Sequence, residues 1–436
     1  MTNVFDDKFS WNFASKFVTG ITGPATIFFL LLFFSPVEQG LFYSLIQFGF
    51  LSTVGDMGFS AFFLYRFSKF IDKADLKNKR IDIKGDEKNE EFLKLNKLFL
   101  YFISVTPIII FIILSFAGLL IFGDQIREGN LDKKFIIFFS LIISLDLNIQ
   151  YFRNYLEGLG FIKDSGKYIF IQIITRSSTL WTFMFLDAGL YSLSISLMAG
   201  LLIYYSLFFI KYGWILKKSL QKKTSSIDTP FQGKFNLDLF LSWFFGAQLI
   251  NANIYFILYL LGVEDAGRFG ISLALMEAIY QLSFVFFQIK IPEISNKFKN
   301  GDTQHALSLL QSRRQIVLFV NILFFIIFIV VFLIGTSFYP FIESRFLSLP
   351  QIGMIFIFTL TRTFLDSWQV ISRPFGRDIL YKSYIISGIF LVVSNILLID
   401  LLGIYGCLLS MVACRLIFNL PIAYKDIREF RRYHSF

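Results

Sequence analysis

Apolar residues along this chain gather into long runs that are separated by short polar connections. Roughly twelve of these runs reach about 20 residues, the length that a helix needs to cross the hydrocarbon core of a bilayer. The predicted helices fall at 13–34, 41–66, 98–122, 135–157, 168–187, 190–211, 237–261, 268–289, 315–338, 351–371, 380–400 and 404–424. The pattern therefore predicts an all-α membrane protein with about twelve transmembrane helices.

The composition strengthens this prediction and argues against several chemistries. Hydrophobic residues make up 55% of the 436 residues and aromatic residues 19%, whereas soluble domains are about 45–50% apolar. Cys407 and Cys414 are the two cysteines, and they allow neither a disulfide framework nor a zinc site. The two histidines, His305 and His434, make a Ser-His-Asp triad improbable, and no GxxxxGK[ST] nucleotide-binding motif occurs. We therefore expect no metal, no cofactor and no enzymatic activity.

The net charge of +10 is unevenly distributed along the chain. Lysine and arginine concentrate in alternate connections, at 68–97, 214–234 and 290–314 and in the tail after residue 424, while the opposite connections are short and poor in basic residues. Cytoplasmic loops of membrane proteins carry such an excess of Lys and Arg. The charge therefore predicts cytoplasmic termini, with some contribution from contact with anionic lipid headgroups, and gives no reason to expect nucleic acid as a partner.

The sequence contains an internal repeat. The turn PVEQGLF (36–42) matches GVEDAGRF (262–269), LDLNIQYFR (145–153) matches LDSWQVISR (365–373), and 189–211 aligns with 403–425 without gaps. Each half has six helices, an even number, so the repeats are parallel and resemble transporters that hold a substrate cavity between two bundles. The predicted organisation is an N-terminal six-helix bundle at 1–212, a cytoplasmic linker at 213–236, a C-terminal six-helix bundle at 237–425 and a basic tail at 426–436.

Ionisable and amide side chains lie within several of the predicted helices. Such groups are expensive in hydrocarbon and normally face a bundle interior or a water-filled cavity. We therefore expect cavity-lining roles for Arg153, Arg176, Arg362, Arg415, Asp56, Asp146, Glu277 and Asn251. Interhelical ion pairs that simply hold the bundles together are the alternative for each of them.

Spacing indicates which of these groups can act together. Arg362 and Asp366 are four residues apart and can pair directly on one helix, and Asp146 and Arg153, seven apart, share a helix face. Asp56 and Arg66 are ten residues apart, about 15 Å along a helix, so we expect Asp56 to find its partner on another helix or in water.

Several segments carry a resemblance to a known family. Gly23-Pro24 in the first helix, SPVEQGLFYSLIQFGFLSTVGDMGFS (35–60), YLEGLG (155–160) and FQIKIPEISNKFKNGD (287–302) resemble bacterial polysaccharide (O-antigen) flippases of the Wzx type. The six-plus-six plan extends this resemblance over the whole chain. The superfamily of these flippases also contains the multidrug MATE exporters and the lipid II flippases, so the resemblance implies a MATE-like fold.

The resemblance also implies a function. It implies that the protein moves an undecaprenyl-pyrophosphate-linked oligosaccharide from the inner to the outer leaflet of the bacterial cytoplasmic membrane by alternating access. Membrane lipids, a polysaccharide polymerase and a chain-length regulator protein are the implied partners. A MATE-type cation or drug antiporter is one alternative, which an excess of acidic cavity residues would favour. An O-antigen polymerase is another, although it typically has a large external loop. The coupling ion stays open between proton, sodium and none.

Overall fold

The computed structural model describes residues 7–56, 59–70, 74–75, 80–81, 86–221, 241–242, 244–248, 251–299, 301–372 and 379–433. Most of the predicted linker at 213–236 lies outside these ranges, as do the end of the tail, His434 and Arg373.

In its described residues, the first half of the chain is a succession of helices with one short pair of strands. The helices are α1 (Asp7–Phe33), α2 (Pro36–Phe50), a 3₁₀ turn (Leu51–Asp56), α3 (Phe59–Ser68), α4 (Asp86–Ile121), α5 (Gly123–Arg127), α6 (Lys133–Gly158), α7 (Ile162–Phe185) and α8 (Tyr191–Gln221). Strands β1 (Ala74–Asp75) and β2 (Arg80–Ile81) pair antiparallel, with Ala74 opposite Ile81. They lie in the first of the basic connections.

The second half contains further helices and two π-helical segments. In chain order it comprises a π-helical segment (Phe244–Gln248), α9 (Asn253–Leu260), α10 (Val263–Gln288), α11 (Ile291–Lys299), α12 (Thr303–Phe338), α13 (Phe341–Arg345), α14 (Leu349–Ser372), α15 (Tyr381–Leu402), α16 (Ile404–Ala413), a second π-helical segment (Cys414–Asn419) and α17 (Leu420–Tyr433).

Every predicted membrane helix has a helical counterpart within the described ranges. Eight of these helices are long and apolar enough to span a membrane on length and composition, among the residues that the structure describes. The predicted all-α membrane class is confirmed. Helices α4 and α12 begin earlier than predicted, at Asp86 and Thr303, and each has 36 residues. Such a helix is about 54 Å long, so each extends past a hydrocarbon core of about 30 Å.

The second predicted helix, 41–66, is interrupted rather than continuous. Helix α2 ends at Phe50, and α3 begins at Phe59 after the 3₁₀ turn. Gly55 lies in this turn, where an added Cβ would be 2.3 Å from the Cδ1 of Ile110 on α4. Asp56 accepts hydrogen bonds from the backbone N–H of Ser60 (2.9 Å) and from its hydroxyl (2.7 Å). The carboxylate thereby satisfies the backbone N–H of Ser60 in the first turn of α3, one of the donors that a helix leaves unpaired at its start.

Contacts divide the described residues into two compact units. The first comprises α1 up to Thr19 and the chain from Phe48 to the end of α8; the second comprises Gly20–Gln47 and the chain from the first π-helical segment to the end of α17. The second unit therefore includes most of α1 and α2, which the repeat assigns to the N-terminal half.

Aromatic side chains from three helices form the interior of the first unit. Phe67 on α3 packs on Tyr155 of α6 with ring centroids 4.6 Å apart, and Phe99 of α4 stacks on the same tyrosine at 4.8 Å. The Tyr155 hydroxyl donates to the side-chain oxygen of Asn96 (2.9 Å), so the polar atom is satisfied inside the protein. The packing fixes α6 against α3 and α4.

The two matching turns of the repeat contact each other within the second unit. An added Cβ at Gly40 would lie 1.9 Å from the carbonyl oxygen of Val263, and one at Gly267 would lie 2.9 Å from the backbone nitrogen of Gly40. The side-chain amide of Gln39 donates to the carbonyl oxygens of Gly267 and Arg345, both at 3.1 Å. Small residues thus bring α2 and α10 into backbone contact, as is common between membrane helices.

Candidate functional site

The first unit contains a cavity of about 440 Å³. The ends of four helices form it: α1 and α3, the last turns of α6 and the first three turns of α7. Its lining residues are Ser15, Lys16, Thr19, Leu64, Arg153, Glu157, Ile162, Ile169 and Ile173. The loop charges predict that these helix ends lie on the cytoplasmic side, so the cavity is at the predicted cytoplasmic end of the unit.

Arg153 and Glu157 form the polar wall of this cavity. The Arg153 Nε donates to Glu157 Oε1 at 2.8 Å, and the Ser165 hydroxyl at the start of α7 donates to the same oxygen at 3.0 Å. The Arg153 side chain is 42% exposed, so part of its guanidinium stays accessible. Lys16 lines the same cavity from α1, and with it the three ionised groups carry one net positive charge.

Asp146 and Arg176 face each other across α6 and α7, and Asp146 does not act with Arg153 as the spacing suggested. Arg176 Nη1 is 4.0 Å from Asp146 Oδ2, and both side chains are about one third exposed. The other Asp146 oxygen is buried without a hydrogen bond. Gly200 of α8 packs under this pair, since an added Cβ would be 3.3 Å from the Cβ of Arg176. The pair is loose.

The second unit contains a tighter cluster around Arg362 of α14. Its Nε donates to Asp366 at 2.9 Å, which confirms the predicted pair, and its Nη1 donates to Glu277 of α10 at 2.5 Å. The Tyr280 hydroxyl donates to Asp366 at 2.7 Å, and the guanidinium carbon lies 4.8 Å from the centre of the Tyr280 ring. Two carboxylates meet one cation, so this cluster carries one net negative charge.

Arg415 has a different environment. It lies in the second π-helical segment and is 3% exposed. Its guanidinium carbon is 4.5 Å from the centre of the Phe358 ring, its Nη1 is 3.4 Å from Asn419 Oδ1, and its Nε is buried without a hydrogen bond. Within the described ranges, no carboxylate pairs with it. A π-helical turn of this kind is frequent at functional sites.

The remaining two predicted site residues do not join these clusters. Asp56 accepts hydrogen bonds from Ser60 four residues further along, and Tyr151 of α6 is a further neighbour that interacts with its carboxylate, so Asp56 has a local partner and also the expected one on another helix. Asn251 is half-buried just before α9.

Two charged residues of the cavity were not among the predicted site residues. Glu157 follows Arg153 by four residues, a spacing that already indicates a direct pair on one helix. Lys16 is a lone cation at the start of the first predicted helix, and nothing in its local sequence indicates that it meets α6. No group of three or more His, Cys, Asp or Glu side chains able to hold a metal occurs in the described part of the chain.

Comparisons with known proteins identify the fold. No protein-family model matches the sequence, and no curated protein does. Among solved structures, the chain is similar to the MATE multidrug transporter DinF-BH (TM-score 0.59, 14% identity, covering 100% of this chain and 97% of that one). It is also similar to a multidrug resistance MATE family transporter of the MOP superfamily in an inward-facing conformation (0.53, 14%, 98% and 94%). The outward-facing conformation of such a transporter matches as well (0.51, 12%, 99% and 97%). The chain therefore has the MATE transporter fold over its whole length.

Proposed function

We propose that this protein is a transporter that moves an undecaprenyl-pyrophosphate-linked oligosaccharide from the inner to the outer leaflet of the bacterial cytoplasmic membrane. The observation that carries the proposal is the cavity of the first unit, where Arg153 and Lys16 outnumber Glu157. A guanidinium binds two phosphate oxygens at once through its planar fork, and an excess of positive charge favours an anionic headgroup over a neutral one.

The transport mode fits the physics of such a substrate. Sugars and a pyrophosphate cannot cross hydrocarbon unaided, whereas a polyprenyl tail prefers it. The solved structures that share this fold include one described as inward-facing and one described as outward-facing. Alternating access in this chain would present the headgroup site to one side of the membrane at a time while the tail stays in lipid. Because the headgroup enters from the cytoplasm, the predicted cytoplasmic position of the cavity suits the first binding step.

A MATE-type cation or drug antiporter is the second candidate, and one observation favours it. Glu277 and Asp366 together exceed the charge of Arg362 by one, and a net negative cluster inside the membrane attracts cations. The same cluster is compatible with flipping, since it can balance charge or bind a coupling ion while the first unit holds the substrate.

Reconstitution of the full-length protein in vesicles separates the two candidates. Lipid-linked pyrophosphate oligosaccharide is placed in both leaflets, and an external glycosidase reports how much reaches the outer surface. We expect protein-dependent movement of this lipid and no protein-dependent export of a cationic dye. Dye export without lipid movement would overturn the proposal in favour of the antiporter.

Deletion of the gene provides the cellular test. Lipid-linked repeat units should accumulate on the cytoplasmic face, and surface polysaccharide should disappear. Normal delivery of the units to the outer leaflet, in a strain without a second transporter of this class, would contradict the proposal.

A further inference from the structure

A groove of about 650 Å³ lies on the second unit, and none of its lining residues belongs to the ion cluster described above. Helices α12, α14 and α17 form its walls, and the lining residues are Leu318, Leu360, Thr361, Phe364, Leu420, Pro421 and Tyr424. The Thr361 hydroxyl donates to the carbonyl oxygen of Phe358 at 2.7 Å within its own helix. Its hydrogen bond is therefore already used, and the groove offers an almost wholly apolar surface.

The groove starts at the level of a membrane interface. Arg314 precedes the lining residue Leu318 by one helical turn, and the apolar stretch of α12 runs from there to Phe338. Tyr424, on the opposite wall, is 64% exposed, and tyrosine is enriched at the boundary between headgroups and hydrocarbon. The groove thus extends from the interface into the hydrocarbon on the side that the loop charges predict to be cytoplasmic.

Arg314 gives this groove a positive end. Its guanidinium carbon lies 5.0 Å from the centre of the ring of Phe364, a wall residue, and its side chain is half-buried. No carboxylate of the described ranges pairs with it. The neighbouring Arg313 differs, because it lies close to Glu293. The pKa of the Glu293 carboxyl is lowered chiefly by a hydrogen bond from Lys290 and, less strongly, by Lys290, Lys297 and Arg313 as nearby cations.

The headgroup of a lipid, and not its acyl chain, determines whether this groove binds it selectively. An alkyl chain gains little by leaving the bilayer for an apolar groove, since lipid tails are as apolar as the side chains that line it. An unpaired guanidinium at the interface, in contrast, attracts a phosphate and the negative charge of an anionic leaflet. We propose that this groove is a binding site for one anionic phospholipid, with an acyl chain along α12, α14 and α17 and the phosphate at Arg314. The site is independent of the transported substrate.

Native mass spectrometry of the full-length protein in detergent tests the site. Phosphatidylglycerol and phosphatidylcholine with identical chains are titrated separately, and the fraction of protein with one lipid bound is measured. We expect the wild type to bind phosphatidylglycerol about fivefold more tightly, which is the effect of one cation near a charged lipid surface. Arg314→Gln should abolish this preference. Arg314→Lys, which keeps the charge and loses the planar fork, should retain part of it.

Arg66→Gln is the matched control, because Arg66 also stacks on an aromatic ring, Phe62, at 5.5 Å and lies outside the groove. It should leave the lipid preference unchanged. Leu360→Trp fills the groove and should weaken the binding of both lipids. The proposal is overturned if Arg314→Gln and Arg66→Gln behave alike, or if Leu360→Trp leaves phosphatidylglycerol binding intact. Added phosphatidylglycerol should also raise the unfolding temperature of the wild type and of Arg66→Gln more than added phosphatidylcholine does, whereas the two lipids should act equally on Arg314→Gln, which separates lost preference from lost folding.

Discussion

The cavity of the first unit and the cluster of the second unit are built on the same local pattern. In each, an arginine Nε donates to a carboxylate four residues later, at 2.8 Å for Arg153 with Glu157 and at 2.9 Å for Arg362 with Asp366. The third partner differs. Lys16 joins the first pair, whereas Glu277 joins the second.

This difference reverses the net charge and changes what surrounds the arginine. The Arg153 side chain is 42% exposed and borders a cavity, while Arg362 is 31% exposed and is held by two carboxylates and the ring of Tyr280. A sequence motif of arginine and acid at one-turn spacing therefore does not define a function. Whether the pair can bind a ligand or only supports the packing depends on the residue that a neighbouring helix contributes.

The largest expected effect is on stability, from the loss of the cation in the second unit. Arg362→Gln leaves Glu277 and Asp366 without a positive partner. Breaking a buried ion pair on one side costs about 3–5 kcal/mol, and the partial exposure of these side chains places the expectation near 3 kcal/mol. Chemical unfolding of the purified protein in detergent measures the change.

A double variant tests whether repulsion between the two acids is the cause. Glu277→Gln in the Arg362→Gln background should recover about 1 kcal/mol, because it removes one of the unpaired charges. If Arg362→Gln has the same denaturant midpoint of unfolding as the wild type, the cluster does not support the fold.

The next largest effect is on ligand binding, in the first unit. Arg153→Gln should weaken binding of a lipid-linked pyrophosphate about tenfold, which corresponds to roughly 1.4 kcal/mol. Glu157→Gln should strengthen it, since the cavity then gains one unit of positive charge. Binding isotherms measure both. Stability should change by less than about 1 kcal/mol, because the two side chains are 42% and 21% exposed and water screens the pair.

Arg127→Gln is the control for these two variants. Arg127 also forms a short-range pair, with Asp124, but its side chain is 79% exposed and lies outside the cavity. It should leave binding unchanged. A change of the same sign in Arg153→Gln and Glu157→Gln would indicate that the pair acts through packing and not through charge.

The sequence predicts those features that depend on local periodicity. Helix positions follow from the lengths of the apolar runs, and the pair of Arg362 with Asp366 follows from a spacing of four residues. The break at Gly55 and Asp56 was not predicted, because the apolar run continues through it and the side chain of Ile110 that requires a glycine belongs to another helix.

The local sequence pattern also does not predict which residues come together in each charge cluster. Lys16 and Arg153 are 137 positions apart in the sequence, and Glu277 and Arg362 are 85 apart. Only the fold brings each set together: α1 and α6 line the same cavity, and α10 packs against α14. The spacing of Asp146 and Arg153 suggested one shared face, yet the two residues have different partners because α7 supplies Arg176 to the former.

Arg415 is a third case to compare with Arg153 and Arg362. It is a buried arginine without a carboxylate partner in the part of the chain that the structure describes. A buried cation that lacks a partner costs free energy, and an apolar side chain of similar length removes that cost. Arg415→Met should therefore raise the free energy of unfolding by about 1 kcal/mol, whereas Arg362→Met should lower it. Denaturant titration of both variants measures the sign of each change in the free energy of unfolding.

The sequence predicts that Arg415 also lines the transport path. In that case, transport by Arg415→Met falls although the protein is more stable. A loss of stability would instead show that its contacts with Phe358 and Asn419 support the fold.

The smallest effect is expected for the loose pair in the first unit. Arg176 and Asp146 are 4.0 Å apart, and their side chains are 37% and 29% exposed. An ion pair of this kind contributes about 0.5 kcal/mol or less, so Arg176→Gln should leave the unfolding curve and the protein abundance nearly unchanged. Removal of its charge should still reduce transport if this arginine meets the substrate. A vesicle assay with equal protein amounts would detect this loss.

A second variant tests the packing of this residue. The backbone of α8 at Gly200 lies close to the Cβ of Arg176, so the larger side chain of Arg176→Trp should destabilise the first unit. The two variants therefore separate the charge of this residue from its packing, and a large loss of stability in Arg176→Gln would place Arg176 with Arg362 among the residues that hold the fold.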